Sequence, residues 1–150
     1  MGLRKTENFG DRLKKLRQRQ EISQEELARR SNLKLSNLAK LEGGFNSNPT
    51  LQTMAALAKV LSNNSLDVLL FNQIGSRGVN RIKIENLGQR IKALRQEREI
   101  SQEELARQSD LKLSNLAKLE GGFGLNPTLT TLRLLAKILT NDSIDKLFAE

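Results

Sequence analysis

The strongest constraint on this chain is that it says nearly the same thing twice. Ile22–Phe45 reads ISQEELARRSNLKLSNLAKLEGGF, and Ile100–Phe123 repeats it with two changes, Arg30 to Gln108 and Asn32 to Asp110. The likeness runs further: Glu7–Phe71 aligns with Glu85–Ala149 without a gap, and 44 of the 65 positions are identical. Two copies of this length do not form a solenoid, whose units are shorter and more numerous. Each copy is instead long enough to bury a small core of its own. Residues 72–84 fall between the copies, contain Gly75 and Gly78, and read as a linker. The alternation of Ile82 and Ile84 predicts that part of it lies extended against a domain. The expected organisation is a domain over 1–71, a linker over 72–84 and a second domain over 85–150.

Within each copy the apolar residues recur at helical spacing. Phe9, Leu13 and Leu16 line one face of a first helix, as do Leu87, Ile91 and Leu94, with Arg and Lys opposite. Asn8 and Asn86 are candidate caps for it. Ser23-Gln-Glu-Glu26 and Ser101-Gln-Glu-Glu104 are capping boxes that open a second helix. Asn32 and Asp110 suit the left-handed backbone of a tight turn that ends it. A third helix buries Leu38 and Leu41 and stops at Gly43-Gly44. Thr50 opens a fourth, carrying Leu51, Met54, Leu57, Ala58 and Leu61, and Ser65 a short fifth through Leu66 and Leu69. No segment reads as a strand. The expected fold is all-α, with two tandem five-helix domains.

Composition narrows the chemistry. The chain has no cysteine and no histidine, which removes disulfides, thiol nucleophiles, imidazole bases and the usual zinc ligands. The adjacent carboxylates of Glu25 and Glu26 point apart on a helix, and Glu42-Gly-Gly-Phe45 lacks the lysine and the preceding strand of a phosphate loop. No enzyme, metal or cofactor is expected. The net charge is +8, with both halves sharing the excess, which favours a polyanionic partner. Five phenylalanines are the only aromatic residues, so stacking platforms for single strands are not expected. No apolar run is long enough to span a membrane, and Met1-Gly-Leu-Arg-Lys5 is too polar for a secretory signal. A cytoplasmic location follows as the expectation.

Two short helices joined by a tight turn on a basic domain form the arrangement that places a helix in the DNA major groove. Leu16-Arg-Gln, Ser23-Gln-Glu-Glu-Leu-Ala28, Leu38 to Glu42, Gly44 and Asn48-Pro-Thr-Leu51 resemble the lambda repressor-like, Cro/CI-type helix-turn-helix domains. The resemblance covers almost all of each copy. It implies that Gln24 and Gln102, at the start of the second helix, touch a phosphate and support the recognition helix. That helix is Lys34–Glu42, repeated as Lys112–Glu120. With Leu38 and Leu41 turned to the core, its groove-facing set is Leu35, Ser36, Asn37 and Lys40, with Lys34 at the edge. In the second copy the set is Leu113, Ser114, Asn115 and Lys118, with Lys112 at the edge. Asn pairs most naturally with adenine, Lys with guanine or phosphate, and Leu offers an apolar surface to a thymine methyl. The sequence departs from the family where Lys34 replaces the usual Ser or Thr cap. Leu35 also stands where relatives often place a base-reading Gln or Arg.

These features predict a sequence-specific protein of double-stranded DNA and a transcriptional regulator. Relatives bind as two-fold dimers to half-sites about 34 Å apart. Thirteen linker residues reach roughly 43–47 Å when extended, so one chain spans both halves as a pseudo-dimer. The alternatives are a homodimer of chains, or an antitoxin-like or adaptor role in which the same domains bind a protein partner. Val68, Leu70 and Phe71, against Lys146, Phe148 and Ala149, are expected to be exposed and unequal.

Overall fold

The computed structural model describes residues 8–45, 48–71, 84–123 and 126–148. The chain divides into two compact units that largely follow the two copies of the repeat. Most of the expected linker, 72–83, lies outside the described residues.

In the first unit α1 spans Phe9–Arg19, α2 Gln24–Ser31, α3 Leu35–Glu42, α4 Leu51–Leu61 and α5 Leu66–Phe71. In the second, α6 spans Leu87–Glu97, α7 Gln102–Ser109, α8 Leu113–Glu120 and α9 Leu129–Leu139. No strand occurs among the described residues. The fifth position of the second unit is a 3₁₀ turn, Asp145–Leu147, rather than an α-helix. Another 3₁₀ turn, Ile84–Asn86, leads into α6, so Ile84 is not extended.

Local signals account for most helix ends. The Asn8 side chain accepts from the Asp11 N–H at 2.8 Å and caps α1. Asn86 does not repeat this: its backbone is already helical and its side chain makes no capping bond, because the preceding turn feeds directly into α6. Ser23 and Ser101 accept from the Glu26 and Glu104 N–H groups, both at 3.1 Å. The other half of each capping box is spent elsewhere. Glu26 receives Arg29 and Arg30, and Glu104 receives Arg107 and Gln108. Asn32 and Asp110 adopt the left-handed conformation, with φ of 55° and 54°. Glu21 and Glu99 do so as well, with φ 55°, closing the turn between the first and second helices.

Each core is built from the predicted apolar stripes. Leu13, Leu27, Leu38, Leu51, Met54 and Leu57 are fully buried in the first unit, as are Leu87, Ile91, Leu105, Leu116, Leu132 and Leu135 in the second. Each such side chain contributes roughly 1.5–3 kcal/mol relative to exposure. Leu70 and Phe148, expected outside, are buried, and Val68 is half-buried. Arg12, itself buried, covers the end of α5 by donating from Nε and Nη2 to the Val68 carbonyl at 3.2 and 2.9 Å. The side chain of Phe71, and Ala149, lie outside the described residues.

One close approach sets the position of the third helix. A Cβ on Gly10 would come within 3.0 Å of the carbonyl oxygens of both Leu41 and Glu42, so α1 meets the end of α3 backbone to backbone. On Gly88 a Cβ would overlap the Leu119 carbonyl oxygen and stand 3.1 Å from that of Glu120. Helix propensity alone would make Gly10→Ala stabilising by about 1 kcal/mol. The overlap with fixed backbone reverses that sign, and we expect Gly10→Ala to cost about 1–3 kcal/mol in urea denaturation. A stabilised variant would show that the approach is looser than described.

Candidate nucleic-acid interface

The site grows from one buried ion pair. Arg17 donates from Nε and Nη2 to Glu42 Oε1 and Oε2 at 2.6 and 3.1 Å, and from Nη1 to the Ile22 carbonyl at 2.9 Å. The two side chains are only 11% and 3% exposed. Gln24, the first residue of α2, donates from Nε2 to Glu42 Oε2 at 2.8 Å. One carboxylate therefore ties α1, the turn before α2, α2 itself and the end of α3. The second unit repeats the arrangement with Arg95, Glu120, Ile100 and Gln102, at 2.8 and 3.1 Å for the ion pair and 2.7 Å for the glutamine. Burying both charges is favourable only because each carboxylate oxygen and three guanidinium nitrogens find partners.

The expected phosphate contact of Gln24 takes a specific form here. One amide hydrogen is committed to Glu42, which fixes the side chain. Gln24 and Gln102 are half-buried, so each stays partly accessible at the start of its helix. A fixed amide at a helix N-terminus is suited to an anion. On the same helix the Arg29 guanidinium, then that of Arg30, holds the Glu26 carboxyl down at about 2. Arg107 and Gln108 do the same for Glu104, also at about 2.

The third helix turns Leu38, Leu41 and Glu42 inward and leaves Lys34, Leu35, Ser36, Asn37 and Lys40 exposed on one element. Lys112, Leu113, Ser114, Asn115 and Lys118 are exposed likewise on α8 and its cap. Ala39 and Ala117 join this exposed surface, which the apolar pattern did not single out. Lys34 occupies the N-cap without a side-chain capping bond, as the missing Ser or Thr implied. The first turn closes instead through the Lys34 carbonyl, which accepts from the Asn37 and Leu38 N–H groups at 3.0 and 3.1 Å. The turn from α2 is held by the Leu33 N–H on the Ala28 carbonyl at 2.9 Å.

A short helix tied by its N-terminus to a phosphate-suited position, then a left-handed turn, then a helix with an uncommitted polar face, is the geometry of a DNA-reading pair. A helix-turn-helix family model matches residues 13–69 and again 91–141, together most of the chain. The chain belongs to the lambda repressor-like helix-turn-helix family. It carries two of the family's DNA-binding domains. Comparison with curated proteins and with solved structures found no match. Among the described residues no group of acidic side chains is arranged to hold a metal, and no helix is long and apolar enough to cross a membrane.

Sequence reasoning missed three parts of these helix-turn-helix domains. The Arg17–Glu42 pair joins residues 25 positions apart, and only the matched Arg95–Glu120 pair in the other copy hinted at it. Gly10 lies in the first helix and carries no local signal of a close approach. Phe45 and Phe123, 87% and 72% exposed just beyond the recognition helices, fall outside the helical spacing that places the other apolar residues. Removing one partner of the ion pair leaves the other charge buried, so Glu42→Ala should cost about 3–5 kcal/mol. It should also lower the thermal midpoint of the first domain. A change within error in chemical denaturation would mean that water replaces the carboxylate at no cost.

Proposed function

We propose that the chain is a sequence-specific transcriptional regulator whose two recognition helices, α3 and α8, read two similar half-sites in duplex DNA. One observation carries this reading. Buried positions have drifted between the copies: Phe9 against Leu87, Leu13 against Ile91, Met54 against Leu132, Leu66 against Ile144. The exposed residues of α3 and α8 have not changed at all. Cores tolerate such near volume-conserving exchanges, and an exposed face has no packing reason to stay identical. Exposed positions on other helices have drifted as well, among them Asp11 against Gln89, Lys15 against Ala93 and Arg30 against Gln108, so an exposed face kept identical is what a shared ligand produces.

In this reading Asn37 and Asn115 hydrogen-bond base edges, with Ser36 and Ser114 beside them. Lys40 and Lys118 reach guanine or phosphate, and Leu35 and Leu113 take an apolar edge such as a thymine methyl. Lys34 and Lys112 flank the groove, and Gln24 and Gln102 hold phosphates. The function is binding rather than catalysis, and it operates in the cytoplasm. The two domains act as a pseudo-dimer within one chain. Ile84 already belongs to the 3₁₀ turn before α6, and the twelve residues 72–83 still reach at most roughly 40–43 Å, more than the roughly 34 Å between half-sites one helical turn apart. Tethering raises the effective concentration of the second domain to the order of millimolar.

Selection from randomised duplexes with the full chain tests this, and the enriched sequences should contain two copies of one short motif. On such a duplex, Asn37→Ala with Asn115→Ala should reduce discrimination at matching base pairs by about 1–3 kcal/mol per lost bidentate contact. An equal loss on all sequences would place these asparagines on phosphates. Log affinity should fall with log salt by about 0.9 per phosphate neutralised, and a flat response would remove the nucleic-acid assignment. Sedimentation should find one chain per duplex; two chains on one such site would replace the pseudo-dimer with a homodimer.

A further inference from the structure

Among the described residues four large hydrophobic side chains are exposed, Leu35 and Phe45 in one unit and Leu113 and Phe123 in the other. The leucines lie on the reading helices. The phenylalanines lie just past them, and nothing in either core makes use of their rings.

Their position is nevertheless well determined. The Phe45 N–H donates to the Lys40 carbonyl at 2.9 Å and the Gly44 N–H to the Leu41 carbonyl at 3.2 Å, the paired bonds that end a helix in a Schellman turn. Gly44 supplies the required left-handed residue, with φ 78°. A Cβ on Gly43 would meet Phe45 Cδ2 and Cε2 at 3.0 Å, so the ring rests on bare backbone at the end of α3. Phe123 repeats this against Gly121, with its N–H on the Lys118 carbonyl at 2.8 Å. The residues that follow differ between the copies, Asn46-Ser47 against Gly124-Leu125, while the phenylalanine is kept.

We propose that Phe45 and Phe123 are DNA-contacting residues, packing on the deoxyribose carbons of the strand that walls the groove entered by α3 or α8. The inference rests on the DNA reading above and assigns to it a contact beyond the reading helices. Three arguments support it. The N-terminal part of a recognition helix sits at the base edges. Eight residues of α3 rise about 12 Å, comparable with a groove about 12 Å wide, so a group just past its C-terminus meets the wall. The surrounding exposed surface is cationic and uncharged-polar, through Lys34, Asn37 and Lys40, while the one carboxylate of α3, Glu42, is buried on Arg17. A cation beside an apolar ring matches a surface that alternates phosphate with sugar.

The test uses the full chain and a duplex enriched by the wild-type protein from a randomised pool. F45A/F123A should keep the wild-type circular dichroism and melting curve, because both rings are exposed. Its affinity for that duplex should fall at least tenfold, with the dependence of log affinity on log salt unchanged, since an apolar contact releases no counterions. Lys40→Ala with Lys118→Ala should instead flatten that dependence. The chain has no tryptophan, so F45W installs a lone indole. Its emission should shift to the blue and resist acrylamide quenching when the duplex is bound. Wild-type affinity in F45A/F123A, or indole emission unmoved in a sample whose duplex is shifted on a gel, would overturn the proposal. So would conversion of a multi-chain species to single chains by F45A/F123A, which would make the rings a self-association contact. Failure of the wild-type chain to enrich any duplex would remove the DNA reading itself, and this proposal with it.

Discussion

The bidentate pair between Arg17 and Glu42, and its copy between Arg95 and Glu120, is the interaction on which each domain depends. It is a buried charge pair, and such pairs contribute little net stability compared with well-packed apolar residues. Its use is geometric. A guanidinium fork accepts a carboxylate in one plane, so Arg17 fixes Glu42, and Glu42 then fixes the Gln24 amide. The start of α2 and the end of α3 therefore hold one relation to each other and to α1. The two helices that face the ligand are registered from beneath, which leaves their outer surfaces free of structural duties.

That division of labour explains the pattern of drift. Gly10 brings α1 against the last turn of α3, and the ion pair locks the same turn, so the helix axis is defined by backbone and charge. Some apolar positions around them exchange, as Phe9 for Leu87, Leu13 for Ile91 and Met54 for Leu132, while Leu27, Leu38 and Leu57 keep their residue in the second copy. Gln20 and Arg98 show the same tolerance in polar form. The first donates from Nε2 to the Val60 and Leu61 carbonyls, and the second from Nε to the Leu139 carbonyl, so different residues satisfy the end of the fourth helix. Outer residues of α3 and α8 have no such duty in the fold, and they match at every position.

Much of this was legible from spacing. The stripes through Leu13, Leu27, Leu38 and Leu57 placed the helices and the core, and Asn32 and Asp110 marked the turn, because these signals are local in sequence. What was not legible depends on residues far apart or on competition between partners. Gly10 matters through carbonyls of α3, and Arg17 through Glu42, neither of which a window of one helix contains. Glu26 looked like the return half of a capping box, but two arginines one turn away outcompete a backbone N–H for a carboxylate. Glu21 carries no turn signature, yet its left-handed backbone closes the loop before α2. In the fifth elements the burial of Leu70 and Phe148 was not legible, because a six-residue helix and a three-residue 3₁₀ turn are too short for spacing to define a face.

The proposed function requires two equivalent reading faces, each meeting the same short sequence. Hydroxyl-radical footprinting of the full chain on a duplex that it enriches tests this most directly. Two protected segments, each overlying a copy of one motif, are the predicted result, and Asn37→Ala should weaken protection over one copy while leaving the other. A single protected segment, or two segments over unrelated sequences, would contradict it.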